Sequence, residues 1–110
     1  MTDRSSLPAS DIYNVDRWGD SYFRIDDQGQ LCVRPNGEQG GQATLEAVLE
    51  SCRAAGLRAP VLARFSGILR QRVKLLAGAF REAIEANQYQ GGYTPVYPIK
   101  VNQQRRVVHE

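Results

Sequence analysis

Apolar residues recur at helical spacing in two stretches of the chain. In the first stretch they are Leu45, Val48, Leu49 and Cys52; in the second they are Leu69, Val73, Leu76, Phe80 and Ile84. Steps of three and four place each set on one face of a helix. We therefore predict amphipathic helices over residues 42–55 and 67–86, the first closed by Gly56 and the second capped by Ser66.

Aromatic and β-branched residues cluster elsewhere. The runs 22–25 and 31–33 flank Asp26-Asp27-Gln28-Gly29, in which Gly29 suits a tight turn, so a β-hairpin is expected. The runs 61–65 and 94–102 are strand-like by composition, and residues 103–110 look like the first turns of a further helix with Asn102 near its cap. The order of these elements predicts an α/β protein.

Composition and charge are those of an ordinary globular protein. The 110 residues include 42% apolar and 24% charged residues, and the net charge is +2. No apolar run is long enough for a membrane span, and the first ten residues lack the apolar core of a secretory signal, so a cytoplasmic setting is expected. Arg70, Arg72, Arg81, Arg105 and Arg106 are not interleaved with aromatic residues, which argues against a nucleic-acid partner.

Cysteine and histidine do not suggest a metal site. Cys32 and Cys52 lie 20 positions apart and His109 is the single histidine, so no zinc ligand set is present in the sequence. We read the cysteines as small apolar residues and His109 as a surface residue.

Lysine is the rarer cation, since Lys74 and Lys100 are the two lysines among 14 cationic residues. Between Ala86 and Gln104, Lys100 is the single charged side chain. On a strand, alternation would place Lys100 opposite an apolar face and near the carboxyl end, where α/β proteins build their sites. A lysine in dry surroundings is suited to carbonyl chemistry, because desolvation favours the neutral amine. A snorkelling or ion-paired lysine is the alternative interpretation.

The run Val96-Tyr97-Pro98-Ile99-Lys100-Val101-Asn102-Gln103 resembles the cofactor-lysine motif of the biosynthetic arginine decarboxylases, which are pyridoxal-phosphate enzymes of the alanine-racemase-like barrel group. Related decarboxylases usually have Ala at the position of Pro98, so Pro98 favours the arginine branch. The run Tyr13-Asn14-Val15-Asp16-Arg17-Trp18-Gly19-Asp20, followed by Tyr22-Phe23, is also similar to that branch, as is Arg64-Phe65 before Ile68-Leu69-Arg70.

The resemblance implies that Lys100 holds pyridoxal 5'-phosphate and that the full-length protein is a carbon-carbon lyase. It would convert L-arginine to agmatine and carbon dioxide in putrescine and spermidine biosynthesis. The resemblance also implies a homo-oligomer and an association with magnesium, although no carboxylate cluster in this stretch suggests a metal site. Trp18, Tyr22 and Phe23 match the opening segment of the family, but core packing explains them equally well.

Residues 1–11 contain small polar residues and one Pro, and we expect them to be a flexible lead-in. The resemblance predicts the rest of the organisation: residues 12–41 form a hairpin segment and loop that belong to a separate β-rich domain, and residues 42–110 begin a (β/α)8 barrel. Such a barrel typically takes about 250 residues, so we expect this chain to be an inactive amino-terminal fragment. The alternatives are a non-catalytic pyridoxal-phosphate-binding module, a decarboxylase for another basic amino acid, and a small basic module that binds nucleic acid.

Overall fold

The computed structural model describes residues 7–110 and shows an α/β protein with a small antiparallel sheet. The chain divides into two compact units, which we call unit 1, ending at Arg64, and unit 2, Phe65–Glu110. The predicted boundary after residue 41 falls within unit 1, because β3 (Ala43–Thr44) pairs with β2 (Leu31–Val33). That residues 42–110 begin a barrel stays a prediction.

Unit 1 begins with two short helices, α1 (Ala9–Tyr13) and α2 (Val15–Trp18). The predicted lead-in therefore overlaps α1 at residues 9–11, while its first six residues lie outside those described. A close backbone approach follows, since the Gly19 N–H donates to the Val15 carbonyl at 2.7 Å and the Gly19 carbonyl accepts from the Tyr22 N–H at 2.8 Å. This compact turn leads the chain into the sheet.

The predicted hairpin is confirmed. Strands β1 (Phe23–Ile25) and β2 pair antiparallel with Phe23 opposite Val33. Gly29 has φ 77°, which is the left-handed conformation that the turn requires. Strand β3 extends the hairpin to three strands in the order β1-β2-β3, and the sequence analysis did not predict it.

The core of unit 1 is small and lies beside this sheet. Val15, Tyr22, Cys32 and Val33 are the buried hydrophobic residues among those described, and each is at most 5% exposed. Tyr22 and Val15 come from the segment that the sequence analysis matched to a family opening, so packing accounts for Tyr22. Trp18 contacts the Phe23 ring at a centroid distance of 5.5 Å, and its indole N–H donates to the Tyr13 carbonyl at 3.0 Å.

The hairpin turn is held by the carboxylate of Asp26. Its Oδ1 accepts from the Gln28 and Gln30 backbone N–H groups at 3.0 and 2.8 Å. The Gln30 N–H is the main cause that lowers the pKa of Asp26, because it stabilises the ionised form. Cys32 lies 3.6 Å from Asp26 Oδ2, and burial raises the pKa of its thiol. The Cys32 thiol is therefore uncharged and packs as an apolar side chain of the core.

The lowered pKa of Asp26 predicts an acid-sensitive turn. Because the folded-state pKa lies below the unfolded value, the stabilisation is present above the ordinary pKa near 3.9 and is lost as the pH falls through the folded value. In Asp26→Asn, we expect a lower unfolding midpoint at pH 7 and a smaller further loss between pH 5 and pH 2. Urea unfolding followed by the fluorescence of Trp18, the single tryptophan, measures this. Asp27→Asn is the matched control, and the same pH dependence in both variants would contradict the prediction.

Both predicted helices are confirmed. Helix α3 (Leu45–Ala54) is capped by Thr44, whose hydroxyl accepts from the Ala47 N–H at 3.1 Å. Helix α4 (Ser66–Ala86) includes Ser66 as its first residue, so the prediction that Ser66 caps it is wrong; Phe65 occupies that position and makes no side-chain cap bond. Within residues 7–110, no helix combines the length and apolarity that a membrane crossing requires.

The chain adopts a strained backbone conformation at Gln88, two residues after the end of α4. The Tyr89 N–H donates to the Ile84 carbonyl and the Gln88 N–H to the Glu85 carbonyl, a pattern that places Gln88 in the left-handed position after the helix, with φ 51°. Glycine is normally preferred there because it has no Cβ. We expect Gln88→Gly to stabilise unit 2 by about 0.5–1 kcal/mol in thermal unfolding followed by circular dichroism. Gln103→Gly should give no such gain, and an equal or lower midpoint for Gln88→Gly would refute the strain.

Candidate functional site

Lys100 lies in a short 3-10 turn, Ile99–Val101, and not on a strand. The predicted strand over residues 94–102 is therefore wrong, and so is the strand over residues 61–65, which has no regular structure. Strands need hydrogen-bonded neighbours, and for residues 94–102 the described residues of unit 2 contain no strand to supply them. Pro98 adds to this, since it donates no ladder bond; its carbonyl instead accepts from the Val101 N–H at 3.0 Å.

The side chain of Lys100 is exposed, so the expectation of a dry lysine does not hold for this structure. Its neighbours are exposed too: Val96 by 86%, Ile99 by 53% and Val101 by 72%. None of the described residues of unit 2 is fully buried, and no second layer therefore covers this segment. The amine is accessible, and no ion pair in the described part of the chain engages it.

Two side chains brace the turn that carries Lys100. The Tyr97 hydroxyl donates to the Asn102 carbonyl at 3.2 Å and closes a loop around the lysine. The Asn102 side-chain oxygen accepts from the Gln104 N–H at 3.1 Å, just before α5 (Arg105–His109). The predicted helix after Asn102 is thus confirmed, although Gln104 occupies the cap position itself. Sequence reasoning missed the role of Tyr97, because a phenol five residues from its acceptor carries no pattern of its own.

Cationic side chains follow the lysine turn directly. Arg105, Arg106 and His109 of α5 line a surface depression of about 310 Å³. Glu110, next along the chain, contacts Arg70 of α4, and this hydrogen bond is the main cause that lowers the pKa of the Glu110 carboxyl; a Ser66 hydrogen bond adds to it. The ion pairs found among the described residues, Arg53 with Glu50 and Arg70 with Glu110, do not include the three lining residues.

Aromatic packing fixes the loop that leads to this segment. The Tyr93 ring stacks on Phe80 of α4 with centroids 3.9 Å apart and planes 6° apart. This contact joins the end of the 87–93 loop to the helix within unit 2. Phe80, one of the residues of the predicted apolar face of α4, is thus in contact with the loop.

Metal ligands are not gathered anywhere in the described residues. No group of three or more His, Cys, Asp or Glu side chains lies close enough to hold an ion in residues 7–110. Cys32 and Cys52 are both free thiols.

Taken together, fold and site define an α/β segment that presents an accessible lysine on a braced turn, followed along the chain by the cationic helix α5. Comparison with characterised proteins gives a more particular relationship. The chain is 47% identical over 109 residues to a biosynthetic arginine decarboxylase of Aeromonas hydrophila, covering 98% of this chain and 17% of that protein. Those of Marinobacter nauticus and Gloeobacter violaceus are each 42% identical, over 111 and 110 residues, covering 100% of this chain and 17% of theirs.

The resemblance predicted from the sequence motifs is thereby confirmed: the chain is a relative of the biosynthetic arginine decarboxylases along its whole length. It spans about 17% of the length of these relatives. No protein-family profile matches the chain.

Proposed function

We propose that this chain is the segment of a pyridoxal-phosphate-dependent arginine decarboxylase that supplies the cofactor lysine, Lys100. The observation that carries the proposal is the similarity of the entire chain to proteins of that name, together with a Lys100 amine that is exposed and free of ion pairs in the described residues. Completed by the remaining length of such a protein, residues 42–110 would begin a (β/α)8 barrel.

The residues present fit the chemistry of the cofactor. A primary amine is the group that binds an aldehyde, and the braced turn offers one at Lys100. When bound, pyridoxal phosphate supplies the electron withdrawal that allows the bond between Cα and the carboxylate of an amino acid to break. In this proposal, Lys100 is the residue that would hold the cofactor through its side-chain amine.

The wider function follows from the same proposal. The full-length protein would release agmatine and carbon dioxide from L-arginine and so feed polyamine synthesis. Completion of the barrel would also cover the Lys100 turn and exclude water, which favours the neutral amine. A cytoplasmic location, a homo-oligomeric state and a magnesium requirement belong to this proposal and not to the observed structure.

A chimera tests the assignment of the lysine. This chain replaces the matching segment of the Aeromonas hydrophila relative, and the purified protein is loaded with pyridoxal phosphate and reduced with borohydride. We expect peptide mass spectrometry to find the cofactor on Lys100, because its turn is the one that the family motif marks. The matched internal control is Lys74, exposed on α4. A cofactor fixed to Lys74, or to a lysine of the host protein, would refute the proposal.

A further inference from the structure

Two surface depressions of unit 1 adjoin one another near the turn of the β1–β2 hairpin, and neither has a role in the function proposed above. The first, of about 380 Å³, is lined by apolar and aromatic residues. The second, also of about 380 Å³, is lined in part by the hairpin turn and its two carboxylates. The residues common to both linings are Ala9, Ile25 and Gly29, so the two depressions are contiguous.

The first depression presents aromatic rings to solvent. Tyr13 is 68% exposed and Trp18 is 52% exposed, and both line the depression together with the buried Val15. The indole of Trp18 is held in place, because its N–H donates to the Tyr13 carbonyl and its ring contacts Phe23. An alkyl or aryl group that lies against such a wall leaves water and is thereby stabilised. This part of the surface therefore suits the apolar body of a small molecule.

The second depression adds negative charge beside the apolar one. Asp26 and Asp27 are among its lining residues. The Gln30 N–H is the main cause that lowers the pKa of Asp26, and the charge of Arg24 contributes to the same effect, so Asp26 is ionised and partly compensated. Neither ion pair found among the described residues includes Asp26 or Asp27. An external cation can therefore gain a charge-assisted hydrogen bond here, most directly from Asp27.

We propose that this surface of unit 1 binds a small organic ammonium ion that carries an apolar chain or ring. The apolar part lies against Tyr13 and Trp18, and the ammonium group donates to the carboxylate of Asp27. A neutral molecule of the same shape gains the apolar contact alone, and an anion is repelled by the carboxylates. The site lies within unit 1 and does not depend on the assignment of Lys100 in unit 2.

Titration of the 110-residue chain with hexylammonium, hexanol and hexanoate tests the site, because these molecules share one alkyl chain and differ in charge. The fluorescence of Trp18, the single tryptophan, reports binding in the apolar depression. We expect hexylammonium to bind about threefold more tightly than hexanol, as an exposed charge pair allows, and hexanoate to bind more weakly than both. Added salt should reduce this preference, since it screens exposed charges. Circular dichroism checks that the chain stays folded throughout the titration.

Two variants test the contribution of charge. Asp27→Asn should remove most of the preference for hexylammonium, while the affinity for hexanol stays unchanged and shows that the apolar depression is intact. Glu38→Gln removes the same charge from an exposed position of unit 1 outside both depressions, and it should leave the preference at the wild-type level.

Two further variants test the aromatic wall. Tyr13→Ala should weaken the binding of hexylammonium and of hexanol to the same extent, by about threefold or more, because both lose the same apolar contact. Tyr89→Ala removes an exposed tyrosine of unit 2 that lines neither depression, and it should change neither affinity.

Several outcomes would overturn the proposal. Hexylammonium that gives no saturable change in Trp18 fluorescence, or that binds no more tightly than hexanol, shows that the surface is not a site for ammonium ions. An equal loss of the preference in Asp27→Asn and Glu38→Gln shows general attraction of cations. None of these results affects the labelling of Lys100 in the chimera, so this proposal and the proposed function fail or stand separately.

Discussion

Gly19→Ala is expected to destabilise unit 1 by about 3 kcal/mol, the upper end of what overpacking usually costs. A Cβ at this position would lie 2.6 Å from both the Val15 and the Phe23 carbonyl oxygens. Both are backbone atoms, and the Val15 carbonyl already accepts the Gly19 N–H, so neither can move without breaking the turn into β1. The added methyl group therefore cannot be accommodated without distorting the backbone.

Urea unfolding followed by Trp18 fluorescence measures this loss, and circular dichroism at 25 °C shows whether the variant folds at all. Gly41→Ala is the matched control, because a Cβ there has no neighbour within 4 Å; we expect a change within about 0.5 kcal/mol. Equal midpoints for the two variants would show that the close approach at Gly19 is not a constraint.

This contact also gives a physical meaning to the motif around Trp18 and Gly19. At the level of the sequence, this motif resembles the opening segment of a family. In the structure, Gly19 permits a tight turn, Tyr22 fills the core and Trp18 packs on Phe23. The motif is thus explained by packing, which is what the sequence analysis weighed against a ligand-binding role.

Elements whose signals are local were predictable. The hairpin was found because Asp26 and Gly29 specify its turn within a few residues, and α3 and α4 were found because their apolar faces repeat along the chain. Strand β3 was missed because two residues carry no periodicity, and its pairing with β2 is what defines it.

The strands predicted over residues 61–65 and 94–102 were wrong because strand formation depends on residues that are distant in sequence. β-branched and aromatic composition describes a segment that fits a sheet, whereas the hydrogen bonds of a strand come from neighbours distant in sequence. With no strand among the described residues of unit 2, the segment around Lys100 takes a 3-10 turn held by its own side chains. Composition alone cannot supply the missing partner.

Of the candidate site, the sequence predicted Lys100 but not the residues and contacts around it. Lys100 stood out because the residues around it lack charge and because its motif resembles that of a family. Tyr97 did not stand out, since its significance depends on the hydrogen bond of its hydroxyl to a backbone carbonyl five residues away. Such contacts are set by the fold and leave no local pattern.

The central claim is that Lys100 is the lysine through which an arginine decarboxylase works, and release of carbon dioxide by the Aeromonas hydrophila chimera tests it most directly. We expect the chimera to release carbon dioxide from arginine in preference to other basic amino acids. Lys100→Ala should lower this rate by about a thousandfold, since the variant loses the amine that holds the cofactor, whereas Lys74→Ala should change it by less than about twofold. A folded, cofactor-loaded Lys100→Ala chimera that retains the parent rate would contradict the account.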